Sequence, residues 1–175
     1  MVIWMIGLSG AGKTALSQVL YGKLKPQIPN LVRLDGDVIR AVFGNDVDHT
    51  LDGRRRNAER LSGLSKFLAD QGIHVIAAVL SIFPEWRAWN RANMTDYAEV
   101  YLKASMETLT RRDTKALYSR AMRGEIPNVV GVDIPFPDPE SPELVIENDT
   151  ETGEFDAMVD RVMRLDVVRR ALRQA

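Results

Sequence analysis

Gly7-Leu8-Ser9-Gly10-Ala11-Gly12-Lys13-Thr14 is the stretch that decides how this chain is read. It satisfies the pattern G-x-x-x-x-G-K-[ST], and both flanks suit it. Val2 to Ile6, just before, is a continuous apolar run of the kind found in a strand covered on both faces. Lys13 to Leu24, just after, places Leu16, Val19, Leu20 and Leu24 at helical spacing. The glycines let the backbone wrap tightly and aim successive N–H groups at phosphate oxygens. A helix that begins at Lys13 adds the positive end of its dipole. Lys13 can then reach the β- and γ-phosphates of a nucleoside triphosphate, and the Thr14 hydroxyl can ligate Mg²⁺. The spacing does not fit G-x-G-x-x-G, which sets NAD aside.

Beyond this loop, short apolar runs alternate with longer helical patterns, the signature of a parallel sheet with crossover helices. Strands are expected at 31–34, 74–80 (HVIAAVL, the clearest central strand), 99–102 and 144–146. Helices are expected at 37–43, at 54–71 with Gly72 as its stop, around 86–94, at 106–123 with Gly124 as its stop, and at 155–172. The Pro-rich stretch PNVVGVDIPFPDPESPE, starting at Pro127, reads as an ordered surface loop. No repeat or linker interrupts the pattern, so residues 1–175 are expected to form one domain.

Composition narrows the chemistry. The 175 residues are 45% hydrophobic and 27% charged, a globular balance. Lys plus Arg number 23 against 24 Asp plus Glu, which argues against nucleic acid or a membrane surface as the partner. The apolar start lacks a basic flank and is too short to span a bilayer, so a cytoplasmic location is expected. There is no Cys, and His49 and His74 are the only histidines, so thiolate chemistry and multi-histidine metal centres drop out. Backbone amides, carboxylates, hydroxyls, Lys and Arg remain.

Two further constellations supply such groups. Leu34-Asp35-Gly36-Asp37 follows the second strand, whose C-terminus should open on the ligand crevice. A carboxylate there can hold Mg²⁺ or take a proton from an attacking hydroxyl, or it can simply cap the next helix. Arg40 follows, and Arg54, Asn57 and Arg60 recur every three residues on one helix face, a set suited to an anionic acceptor. Arg55 and Arg56 point elsewhere and are expected to be solvated.

Together these residues resemble the adenylyl-sulfate (APS) kinases. The match includes VIWMIGLSGAGKT, LDGDVIR, the Arg54–Asn57–Arg60 spacing and RRDTKALYSRAMRGEIPNVVGVDIPFPDPESPELVI, and it runs from Val2 to about Asn148. The resemblance implies an α/β, three-layer P-loop NTPase fold with a mostly parallel sheet and a helical lid over about 112–131. It implies a kinase that moves the γ-phosphate of ATP, with Mg²⁺, to the ribose 3′-hydroxyl of a nucleotide. Gly7, Ser9, Gly10, Ala11, Gly12, Lys13, Thr14, Ala15 and Arg112 would serve ATP, with Thr14 and Asp35 at the metal. Lys13, Asp35 and Lys115 would be catalytic. Asp35, Asp37, Arg40, Arg54, Asn57, Arg60, Ser81, Phe83, Lys115 and Val132 would meet the acceptor. Members often form homodimers, and the Arg-rich C-terminal helix is one place for such a contact.

The departures from the family pattern concern the acceptor. Val38 stands where Asn is usual, and Ile-Ser-Pro-Phe followed by Arg becomes Leu80-Ser81-Ile82-Phe83-Pro84. His49 and Val129 occupy the places of two aromatics that sandwich the acceptor adenine in typical members. Stacking on an aromatic is worth about 1–3 kcal/mol, enough to change base preference. A related branch, the cytidine diphosphoramidate kinases, phosphorylates a cytidine 3′-hydroxyl in surface-polysaccharide modification. APS, the commoner acceptor, is the expectation from sequence, with the cytidine nucleotide as its alternative. A nucleotide-binding regulatory module is set aside, because guanine-reading N-K-x-D is absent and a lid would have no purpose. A sugar or small-acid kinase fits the arginine face less well. His74 reads as structural and Phe136 as core, while Phe83 is assigned to the site. Trp86-Arg87-Trp89 offers either a phosphate contact or a surface cation–π pair.

Overall fold

A computed structural model describes residues 1–113, 115–149 and 155–174. Five strands, β1 (Val2–Ile6), β2 (Leu31–Asp35), β3 (His74–Val79), β4 (Tyr97–Lys103) and β5 (Leu144–Glu147), form one sheet in the order β2-β3-β1-β4-β5. All four pairings are parallel. The central strand β1 shows why its sequence is apolar throughout. Ile3 and Met5 enter a core with Leu16, Leu20, Val159 and Val168 on one face. Val2, Trp4 and Ile6 enter a second core with Leu61, Met94 and Tyr97 on the other. A strand buried on both sides loses the polar alternation of a half-exposed one.

Helices cover both faces: α1 (Lys13–Leu24), α2 (Gly36–Val42), α3 (Leu51–Asp70), α4 (Pro84–Asn93), α5 (Met106–Arg111), α6 (Leu117–Met122), α7 (Phe155–Met163) and α8 (Asp166–Gln174). Register brings the functional loops to one edge. Ile6 pairs with Val79 and Tyr101, and Asp35 pairs with Ala78. The phosphate loop, the Asp35–Asp37 turn and Ser81 therefore leave the sheet side by side, at the C-terminal edge where open parallel sheets bind ligands.

Three expected helices differ from the structure. The helix expected from Arg54 starts at Leu51, because the Thr50 hydroxyl accepts from the Gly53 N–H at 3.2 Å and caps it one turn earlier. The helix expected over 106–123 is two. Asp113 interrupts it: its carboxylate accepts from the N–H groups of Leu117 (2.7 Å), Tyr118 (2.8 Å) and Ser119 (3.1 Å), starting α6 afresh. Thr114, within the expected lid, lies outside the described residues. The helix expected over 155–172 is also two, with tight turns closing at Arg164 and Leu165 and acidic Asp166 in the first turn of α8. Apolar periodicity passes straight through both breaks, so spacing alone reads each pair as one helix.

The Asp113 arrangement has a measurable consequence. Asp113→Ala should leave the sheet intact and lower hydrogen-exchange protection at Leu117–Ser119 about tenfold, the effect of losing a good cap. Unchanged protection there would mean that α6 starts without the carboxylate.

The Pro-rich stretch does more than cover the surface. Asp133 gathers the N–H groups of Asn128 and Val129, closing a turn whose Val130 bridges to Ile134. Val130 and Ile134 then pack with Ile82 and Phe83 in a small third core.

Candidate active site

A cavity of about 1000 Å³ opens at the C-terminal edge of the sheet. Its floor is the phosphate loop and α1. Gly10 and Gly12 have φ of 80° and 98°, in the left-handed region that other residues avoid. Gly12 is the N-cap of α1, and no side chain caps that end. The first amides of the helix are thus left for an anion.

Lys13 and Thr14 face the same space. The Lys13 ammonium donates to the Leu8 carbonyl at 2.7 Å. Burial pulls its pKa down to about 8, although Asp37 and Asp35 draw it back upward. The free enzyme therefore carries this charge below about pH 8 and loses it above. A nucleoside triphosphate needs that cation, so kcat/KM for ATP should fall as pH rises through about 8. A profile flat to pH 9.5 would contradict it.

Asp35 ends β2 and is 9% exposed. One oxygen accepts from the Thr14 hydroxyl at 2.8 Å, and the other accepts from the Asp37 N–H at 3.0 Å, capping α2. The cap and the site carboxylate are thus one residue, and Asp37 sits in the first turn of α2 on the cavity wall. The Thr14 hydroxyl and Asp35 carboxylate are hard oxygen donors of the kind that suit Mg²⁺ held mostly by phosphates and water. Among the described residues, no group of three or more His, Asp or Glu is placed to hold a metal ion by itself.

The arginines divide. Arg40 is buried and donates to the carbonyls of Val47 and Asp48, both at 2.7 Å, so it holds the 44–50 loop while its buried Nε has no protein partner. Arg54 donates to the His49 and Asn128 carbonyls, both at 2.8 Å, tying α3 to the segment above the cavity. The Asn57 amide lies against the Gly36 carbonyl at 3.4 Å, and its buried Oδ1 is unpaired. All three line the cavity. Arg60, expected beside them, does not. It makes a bidentate pair with Asp46 (3.0 and 2.7 Å) and lies 4.2 Å over the Phe43 ring. Helical spacing put it on the same face, but the acidic 44–50 loop pulls it outward.

Other expected residues also separate. Ser81 lines the cavity at φ 56°, held by the Trp4 indole N–H on its hydroxyl (3.0 Å) and Arg87 on its carbonyl (2.6 Å). Arg87 is itself buried, and its guanidinium fixes the Ser81 backbone. Phe83 is on the wall with the Arg55 guanidinium 4.5 Å over its ring, and Arg55 also pairs with Glu85. Lys115 is exposed at the rim and lines the cavity. Arg112, the C-cap of α5, and Val132, exposed on the Val129–Ile134 turn, lie outside its wall. His49 lines it, and burial with the nearby positive Arg40 and Arg54 holds its pKa low, so its ring is neutral at pH 7.

Two residues that sequence reasoning passed over touch the loop itself. The Tyr118 hydroxyl donates to the Ser9 carbonyl at 2.7 Å; burial, with Asp113 adding, pushes its pKa up to about 12, so it keeps its proton. The Asn148 amide donates to the Ala11 carbonyl at 2.9 Å. The available signal was position: Asn148 directly follows a strand C-terminus, as Ser81 nearly does. Lys13, Arg40, Arg54, Lys115 and Arg120 on the wall outnumber Asp35 and Asp37, so a nearly neutral chain has a positive cavity.

The statistical model of the family described as adenylylsulphate kinase matches residues 1–147. The chain is 44% identical over 147 residues to a cytidine diphosphoramidate kinase from Campylobacter jejuni, covering 84% of this chain and 85% of that one. It is 36% identical over 165 residues to an adenylyl-sulfate kinase from Staphylococcus carnosus, covering 93% and 82%. A solved APS kinase from Mycobacterium tuberculosis, in complex with AMPPNP and APS, matches with a TM-score of 0.83 at 30% identity over 96% of each chain.

Proposed function

We propose, because this chain belongs to the adenylylsulphate kinase family, that it phosphorylates the 3′-hydroxyl of a cytidine nucleotide, cytidine diphosphoramidate being the acceptor. The coarser activity is that of an ATP-dependent phosphotransferase of the nucleotide 3′-kinase type. The observation that carries the choice of base is the wall around the acceptor arginines. His49 and Val129 line it: the imidazole offers one small aromatic face and Val129 none, so these two positions do not form the paired aromatic faces suited to a purine. A pyrimidine has a smaller face to stack, so it loses less when that platform is missing. The 44% identity to the Campylobacter jejuni enzyme supports the same reading.

In this reading the loop amides and Lys13 hold the β- and γ-phosphates. Thr14 and Asp35 would hold Mg²⁺, which would supply neutralisation of the phosphate charge. Asp35 accepts the proton as the 3′-oxygen forms its bond to the γ-phosphorus; the bond to the β-phosphate oxygen breaks, and ADP leaves. Arg40 and Arg54, each fixed by backbone carbonyls, are pre-set to meet the acceptor's phosphates with their remaining N–H groups. Lys115 approaches the transferring group from the rim, and residues 115–131 cover the reaction from water.

The second reading, APS as acceptor, draws support from the match to the Mycobacterium tuberculosis enzyme with APS bound. A coupled ADP-release assay offering both acceptors decides between them. We expect kcat/KM for cytidine diphosphoramidate to exceed that for APS at least tenfold. The reverse order gives the APS reading, and turnover of neither removes both.

A further inference from the structure

The phosphate loop presents an accounting question: where do its carbonyls go? The Leu8 carbonyl accepts from the Ala11 N–H at 3.2 Å and from Lys13. The Ser9 carbonyl accepts from Tyr118. The Ala11 carbonyl accepts from Asn148, across 137 residues of chain, in a fully buried bond. We infer that Asn148 is a positioning residue for ATP, setting the direction of the Gly12 amide through the Ala11 carbonyl.

The reason is geometric. A trans peptide is planar, with its C=O and N–H pointing in opposite directions. Asn148 pulls the Ala11 carbonyl toward the end of β5, so the Gly12 N–H of the same peptide turns toward the cavity. Asn148 itself is well anchored. It is 3% exposed, and its own backbone N–H donates to the Lys103 carbonyl at 2.7 Å, extending the β4–β5 pairing. Its amide also sets the room available at the loop. A Cβ at Gly12 would stand 2.8 Å from Asn148 Nδ2 and 3.4 Å from the Phe155 ring. Asn148 therefore acts twice on Gly12: it orients the peptide and makes any side chain there clash. Asn148 is not among the residues that line the cavity, and it acts on the phosphate loop rather than on the acceptor wall.

This predicts a split between the two substrates. Asn148→Asp keeps the size and removes the donor; Asn148→Ala removes it without adding charge. Both should raise KM for ATP, by about 3- to 10-fold for Asn148→Ala as befits one buried hydrogen bond. KM for the nucleotide acceptor should stay within twofold. In ¹H–¹⁵N spectra, the downfield shift of the Gly12 amide on MgADP binding should shrink in both variants. If Asn148→Ala is too unstable to assay, Asn148→Asp, which keeps the size of the side chain, gives the same readouts. An unchanged ATP KM with only a lower Tm, or equal rises in both KM values, would overturn the inference. Because the ATP readouts do not depend on the base of the acceptor, they fail separately from the cytidine reading.

Discussion

Lys13→Ala should lower kcat by about 10²–10³-fold, the loss usual when one preorganised charge is removed from a developing anion. The fold should survive, because the Lys13 ammonium contributes one hydrogen bond to the Leu8 carbonyl, and that carbonyl keeps the Ala11 N–H. Burial has already drawn its pKa down to about 8, so the side chain is incompletely solvated before ATP arrives and is not costly to lose from the free protein. Stopped assays over a range of ATP concentrations check this. Near-normal turnover would remove the phosphate loop from the mechanism.

Asp35→Asn should lower kcat by about 10²–10⁴-fold, the range for a lost general base, with little change in Tm. Asn still accepts from the Asp37 N–H, so the cap of α2 survives while the negative charge does not. Asp35→Ala adds a second effect. It removes the cap as well, and should cost about 1 kcal/mol of stability beyond the loss of rate. Comparing the two by calorimetry and initial rates separates cap from catalysis. If Asp35→Asn retained wild-type kcat, the carboxylate would be only a cap.

Most of what positions these residues was legible in the sequence, for a stated reason. The loop glycines, the two-sided burial of Val2–Ile6 and the strand C-termini follow from local pattern, and the five parallel strands follow from their alternation with helices. What escaped was set by side chains that act across the fold. Asp113 and the turn at Arg164–Leu165 break helices whose apolar spacing runs on. Arg60 has the right helical phase, yet Asp46 claims it. Arg112 and Val132 were placed by resemblance, and neither reaches the cavity wall in the structure. Tyr118 and Asn148 reach the loop from 109 and 137 residues away, distances that no periodicity encodes.

The direct test of the central claim is ³¹P NMR of the product formed from ATP and cytidine diphosphoramidate. The account predicts a new phosphomonoester resonance coupled to the ribose H3′, in amounts equal to the ADP released. Release of ADP with inorganic phosphate alone, or a phosphate at any other position, would contradict it.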